Sequence, residues 1–291
     1  MSTVLAELGK KYAERWVSLL VLPGLLFVAA VFAATALGHT LDFGRLTTTV
    51  ERMAASVSQQ PGTLAVVVIV VPVLSAAAGL AAAAVAKLVS RLSFEPWPAA
   101  LLVNRRVRRW KAAADEFDAV RDDTAAASAP DYQARLDSLA AKRNAISLGP
   151  PERATWMGDR LRSVSTRVWS WYRLDLEFAW PRLWLLLDGD EQESVRAARA
   201  QLDSAVMLAG WGALYAALAI WSWPAALIGV ALAAVAQRQS RAAVDNLAHL
   251  IEGSFDLHAT DLARALGFEV APGTLSPIVG AEVTAHLRKN V

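Results

Sequence analysis

A chain of 291 residues and 31.2 kDa with 55% hydrophobic residues, only 19% charged ones and a mean hydropathy of +0.34 is more apolar than a soluble chain of this size. The absence of cysteine excludes thiolate nucleophiles, disulfides and cysteine-ligated zinc or iron–sulfur clusters. A balance of 29 Lys and Arg against 27 Asp and Glu, net +2, does not describe a nucleic-acid-binding surface. These bounds point to an all-α polytopic membrane protein.

Residues 1–15 form a basic N-terminus, followed by the uncharged run 16–38, long enough to cross about 30 Å of hydrocarbon as a helix. Lys10, Lys11 and Arg15 before the run, with Ala34-Thr35-Ala36 near its end, also fit a signal peptide, but the apolar region of a signal peptide spans only about 7 to 15 residues. Pro23-Gly24 predicts a kink. The loop 39–62 places Leu46, Val50, Met53 and Val57 at helical spacing, so a short amphipathic helix is expected there, ended by Gln59-Gln60-Pro61-Gly62.

A second span occupies 63–89 and is closed by Lys87 and Arg91. Within it Ser75, Gly79 and Ala83 recur every four residues, a small face suited to close helix packing, although abundant alanine alone would produce the same pattern. Two further apolar runs, 204–221 and 223–237, flank Ser222 and predict a tight hairpin turned at Pro224. Ala209, Ala213 and Ala217 on one arm and Ala225, Gly229 and Ala233 on the other are the faces expected to close it, with Trp221 and Trp223 anchoring the tip. The last run is the shortest and must thin the bilayer locally, borrow length from Gln237 and Arg238, or stop short of crossing.

Every Lys and Arg except Arg45 and Arg52 lies outside the 39–62 loop and the hairpin turn, which orients both termini and the middle of the chain toward the cytoplasm of a bacterial inner membrane. The cytoplasmic segment 90–203, punctuated by prolines, reads as helices near 99–127, 131–146 and 152–172, and a fourth starting near Asp190, where Glu193 completes a capping-box spacing, and running into the third span. In the first of these, Arg105, Arg106, Arg108, Arg109 and Lys111 form a dense basic cluster. Contact with anionic headgroups is the leading reading, ahead of pairing with Asp115, Glu116 and Asp118; nucleic acid ranks last because no recognition fold accompanies the cluster.

Trp97, Trp110, Trp156, Trp169, Trp171, Trp180 and Trp184 also fall in this segment, where headgroup contact is their usual use. The stretch 174–187, LDLEFAWPRLWLLL, is too short to span and too apolar to be solvated; it either lies in the interface or, the favoured reading, plugs the cytoplasmic helices with Asp175, Glu177 and Arg182 paired to nearby charges. Residues 238–268 continue as a helix whose broad apolar face, Val244, Leu247, Leu250, Ile251, Phe255, Leu262 and Leu266, needs a partner, and 269–291 form a tail or a short amphipathic helix.

Chemistry is harder to find. His249, Glu252 and Asp256 share a helix face, with His258 and Asp261 following, but such triplets are common on surface helices and no metal site is assigned. Asp188-Gly189-Asp190-Glu191 lacks the distal ligands of a calcium loop and reads as a turn with a helix cap. Phosphate-cradling, zinc-helix and nucleophile-elbow signatures are missing, and the spans carry no ionisable residue of the kind ion-coupled transporters bury.

The stretch Thr155 to Val164, TWMGDRLRSV, then Tyr172-Arg173-Leu174-Asp175, Trp180-Pro181-Arg182-Leu183-Trp184, and the earlier Glu14-Arg15-Trp16 leading to Leu22-Pro23-Gly24, resembles a family of bacterial four-pass membrane proteins of uncharacterised activity. In these a two-plus-two arrangement of spans surrounds a cytoplasmic helical segment. Relatives often carry a glycine where this chain has Arg173 before Leu174. The resemblance implies the topology and no functional residue. The expected function is a non-enzymatic membrane scaffold or sensor component without cofactor, which recruits a cytosolic protein partner or another copy through Trp180, Pro181, Arg182 and Trp184. A homo-oligomeric pore gated by the cytoplasmic helices is the alternative, and a lipid-active enzyme a third.

Overall fold

Regular structure is entirely helical among the described residues, which are 22–38, 42–59, 61–94, 100–123, 127, 129–271 and 273–289 of the computed structural model. In chain order the helices are α1 (Leu22–Leu37), α2 (Phe43–Gln59), α3 (Pro61–Phe94), α4 (Ala100–Arg121), α5 (Tyr132–Asn144), α6 (Trp156–Tyr172), α7 (Leu176–Leu183), α8 (Gly189–Ala217), α9 (Trp223–Ala265) and α10 (Pro277–Arg288), with a 3₁₀ turn at Leu218–Ile220. The chain divides into two units, residues 1–89 with 205–237, and residues 90–204 with 238–291.

In the first unit the side chains are arranged inside out relative to a water-soluble core. Small residues face inward: Ser75, Ala82 and Ala86 are buried, whereas Leu26, Val68, Ile69, Val73, Leu227 and Val230 are exposed. Association by close backbone approach, with large apolar groups left outside, is how helices pack in lipid. Among the described residues two helices are long and apolar enough to cross a membrane, over Ala65–Phe94 and Gly189–Ile220, and α1 is a shorter apolar one. Of the four spans expected, two therefore have a helix of sufficient length among the described residues. Residues 16–21 of the first run and the basic N-terminus lie outside the described residues.

The small face of α3 differs from the expected one. Ser75 and Gly79 are buried, but Ala82 and Ala86 continue the face and Ala83 turns away to half-burial. At 3.6 residues per turn a strict four-residue ridge drifts around the helix, while steps of four and three stay on one side. Gly24, where a kink was expected, supplies a close approach: a Cβ there would collide with the carbonyl of Ser75. The Ser75 hydroxyl is satisfied by Val71 O at 2.7 Å.

The hairpin closes through a different alanine register on its first arm. A Cβ on Gly229 would meet Ala216 N at 2.6 Å and Gly212 O at 2.9 Å, so the backbone of Gly212 and Ala216 forms the contact, while the side chains of Ala213, Ala216 and Ala217 are all exposed. Ala225 and Gly229 lie on the contact as expected, Ala225 packing with Ala34 and Leu218, and Ala233 presents its backbone to Gly212. Trp221 and Trp223 are half-exposed on either side of buried Ser222. Pro224 sits in the first turn of α9, where its missing N–H is not needed.

The second unit is an ordinary apolar core. Val164, Val168 and Tyr172 of α6, Leu174, Ala179 and Leu183 around α7, Phe255, Ala259 and Leu262 of α9, and Val283 and Leu287 of α10 bury one another. Residues 174–187 thus plug the helices, as favoured from sequence, and the apolar face of α9 finds its partner within the chain. The tail is a docked helix: Thr284 Oγ1 donates to Arg173 O at 2.8 Å and accepts from Asp175 N at 3.1 Å, while Arg288 pairs with Asp175. Arg173 adopts φ 55°, the left-handed conformation that glycine takes most readily, so the turn after α6 keeps the form a glycine would give it.

The capping box of α8 lies two residues earlier than expected. Asp188 Oδ1 accepts from Glu191 N at 2.8 Å and Glu191 Oε2 accepts from Asp188 N, the reciprocal pair that Asp190 and Glu193 were expected to make. The Asp188-Gly189-Asp190-Glu191 turn is accordingly a helix start.

Bulk at the tightest contact of the hairpin should separate its arms. Gly229→Leu is expected to destabilise the first unit by about 1–3 kcal/mol, read as a lowered thermal midpoint in detergent, whereas Ala217→Leu on the outward face leaves the midpoint near wild type.

Candidate functional site

The Thr155–Arg160 stretch is the most heavily engaged polar segment of the second unit. Extended Thr155 caps α6, its hydroxyl accepting from Gly158 N at 3.1 Å while donating to Ser93 O at 2.6 Å. Ser93 O lies so close that a Cβ on Gly158 would meet it at 2.6 Å. Buried Asp159 accepts from the amides of Glu152 and Arg153 at 2.9 and 2.8 Å and pairs with Arg106 at 2.5 Å. Trp156 Nε1 donates to Asn144 O, and the Arg241 guanidinium covers its ring. The motif that carried the family resemblance is spent on assembling the fold.

Arg160 completes the motif and begins the site. Its side chain is 1% exposed and reaches α9, where Nε meets Asp245 at 2.7 Å and Nη1 meets Glu252 at 2.8 Å. Burial would lower its pKa, but the hydrogen bonds to Glu252 and Asp245 outweigh that and raise it. One heptad further, Arg167 meets Glu252 at 3.0 Å, and then Tyr172 Oη donates to Asp256 at 2.6 Å. The sequence offset between partners is 85, 85 and 84, so α6 and α9 run parallel in one register. Desolvation first, and the hydrogen bond to Asp256 next, push the Tyr172 phenol up to about 12, so it remains a neutral donor.

Beside this ladder lies a cleft of about 420 Å³ lined by Arg167, Val168, Trp171, Tyr172, Glu252 and Asp256. Two carboxylates, one guanidinium and an indole that is 73% exposed share it. Glu252 and Asp256, read from sequence as one helix face, do come together here, but their partners are Arg160, Arg167 and Tyr172. His249 is exposed, 3.6 Å from Asp245 and 3.9 Å from Glu252, and His258 pairs instead with Glu191 of α8 at 3.0 Å. Among the described residues no group of three His, Asp or Glu is placed to hold a metal ion.

The other expected site residues are dispersed. Arg105, Arg108, Arg109 and Lys111 are exposed on α4. Arg106 is not; it lies on the side of α4 that carries half-buried Trp110 and buried Ala113, and turns inward to Asp159, Arg153 O and Ile146 O. Trp110 donates to Ser147 O at 2.9 Å, and Trp97 lies outside the described residues. The expected docking motif is partly drawn into the core: Trp180 packs against Trp184 and Phe255 at 5.8 and 6.2 Å between centroids and Arg182 donates to Phe178 O, so that Trp180, Arg182 and Trp184 are half-buried and Pro181 is exposed. Among the described tryptophans of this segment Trp171, 73% exposed, is the most open, with Trp169 next at 40%, and sequence reasoning did not separate it from the other six. Its i+4 spacing from Arg167, itself a heptad after buried Arg160, was the available signal.

Compared with protein-family models, curated proteins and solved structures, the chain matches none.

Arg160→Ala leaves Glu252 with Arg167 alone and half-exposed Asp245 without its cation, and is expected to destabilise the second unit by about 2–3 kcal/mol, measured by chemical unfolding followed by circular dichroism. The hydrogen bond to Glu191 raises the His258 pKa above the usual 6.5. The folded state therefore binds the proton more tightly, so this tie between α8 and α9 is at full strength below pH 6.5 and is lost as pH rises through the folded-state value. Melting temperature is expected to fall from about pH 6 to about pH 8.5 by more in wild type than in His258→Gln.

Proposed function

We propose that the protein is a four-pass component of a bacterial cytoplasmic membrane, grouped with the two-plus-two proteins it resembles, with both termini cytoplasmic. It acts as a non-enzymatic scaffold or sensor component whose second unit recruits a cytosolic protein. The observation that carries this reading is the cleft on a self-contained helical unit, with the Trp171 indole held out at 73% exposure beside fixed charges. Exposed tryptophans next to charged groups are the residues on which protein interfaces concentrate their energy. The membrane anchor is supported by the outward-facing apolar side chains of α1, α3 and α9 and by the cation distribution. Exposed Arg105, Arg108, Arg109 and Lys111 suit anionic headgroups at the inner leaflet. The close approaches of Gly24 to Ser75 and of Gly229 to Gly212 and Ala216 are made within one chain, which favours the scaffold reading over the pore.

The test is the composition of the tagged full-length protein extracted from its native membrane into lipid nanodiscs. A stoichiometric second polypeptide is expected, and it is lost from Trp171→Ala, whose melting temperature stays at the wild-type value because the ring is exposed. A closed homo-ring with no second polypeptide would instead restore the pore.

A further inference from the structure

We propose that the cleft between α6 and α9 receives a basic side chain, the guanidinium or ammonium group of an arginine or lysine carried by the cytosolic partner, an inference that rests on the scaffold reading. The argument begins with charge. Arg160 and Arg167 are matched by Asp245 and Glu252, with Glu252 shared between both arginines, so that these two cations and two carboxylates balance. Asp256 is the remainder. Among the described residues it meets only the hydroxyl of Tyr172, a neutral donor, and the lining of the cleft is left with one negative charge in excess.

The second observation is the ring. Trp171 lines the same cleft and is 73% exposed, while Tyr172 beside it is buried in the core. A surplus carboxylate in one cleft with an exposed indole is a pairing that selects organic cations: the carboxylate supplies a charged partner and the ring an electron-rich face. An anion would meet Glu252 and Asp256 as well as Arg167. An uncharged apolar group would have to strip water from all three without replacing their hydrogen bonds. A cation carried on an apolar stem satisfies both the charge and the aromatic wall.

The full-length protein in nanodiscs of zwitterionic phosphatidylcholine, which gives the bilayer no net charge, is titrated with a fluorescein-labelled glycine–arginine repeat peptide and with its citrulline counterpart, and anisotropy is read. The arginine peptide is expected to bind and the citrulline peptide to fail. Asp256→Asn, which keeps an acceptor oxygen for Tyr172, is expected to weaken binding about fivefold and Trp171→Ala about threefold, both with wild-type melting temperatures. Equal binding of the citrulline peptide, or unchanged binding by Asp256→Asn, would overturn the inference. So would retention of the native second polypeptide by Asp256→Asn once peptide binding is lost, because the partner would then dock elsewhere and the scaffold reading would stand. Absence of any second polypeptide from the wild-type preparation overturns the scaffold reading itself, and with it the assignment of the occupant.

Discussion

A guanidinium taken out of water without partners carries a desolvation penalty of several kcal/mol, so the burial of Arg160 constrains whatever surrounds it. Asp245 and Glu252 must both come within hydrogen-bonding distance, and because they lie seven residues apart on α9, they bring two turns of that helix against α6. With the pair aligned, Val164 and Val168 meet Phe255 and Ala259, and Tyr172 arrives at Asp256. The turn that follows presents Arg173 O to Thr284, which seats α10. A buried ion pair adds little net stability compared with apolar packing of the same volume, but breaking it is costly, and that asymmetry is what makes it an effective constraint on geometry.

The first unit is organised by a different balance. Its inner faces are Gly24, Ser75, Gly79, Ala82, Gly212 and Gly229, and its outer faces are leucine, isoleucine and valine. In water this distribution would forfeit the hydrophobic gain of the larger side chains. Against hydrocarbon there is no such loss, and helices gain instead from the dispersion contacts that small residues allow. The two units therefore solve the packing problem with opposite residue distributions.

Much of this was legible in the sequence because it is periodic. Apolar runs gave the positions of α1, α3, α8 and α9, and the helical spacing of Leu46, Val50 and Met53 marked α2. The boundaries of α4 to α6 moved inward by a few residues, to Arg121, Asn144 and Trp156, because caps and loop hydrogen bonds such as Thr155 with Gly158 decide where a helix begins. What was not legible depends on pairing across long sequence separations. Nothing local distinguishes Arg106, which faces Asp159, from Arg105 and Arg108 beside it, or marks Trp180 as internal and Trp171 as exposed. The choice of Gly212 and Ala216 over Ala213 and Ala217 likewise follows from the rotation of a helix about its axis, which an alanine-rich sequence leaves open.

The spacing of the α6–α9 ladder also works as a vernier. Sliding α9 back by one turn would set Arg160 opposite Arg241 and Arg167 opposite Ala248; sliding it back by two would set Arg160 opposite Arg238. Sliding forward by one turn offers His249 to Arg160, and by two leaves Arg167 facing Ala259. Each slipped alignment leaves an arginine facing alanine, histidine or another arginine, while the native offset of 85 satisfies Arg160 and Arg167 together. Two parallel helices with largely apolar seams would otherwise have several alignments of similar energy, and here charge makes one of them distinct.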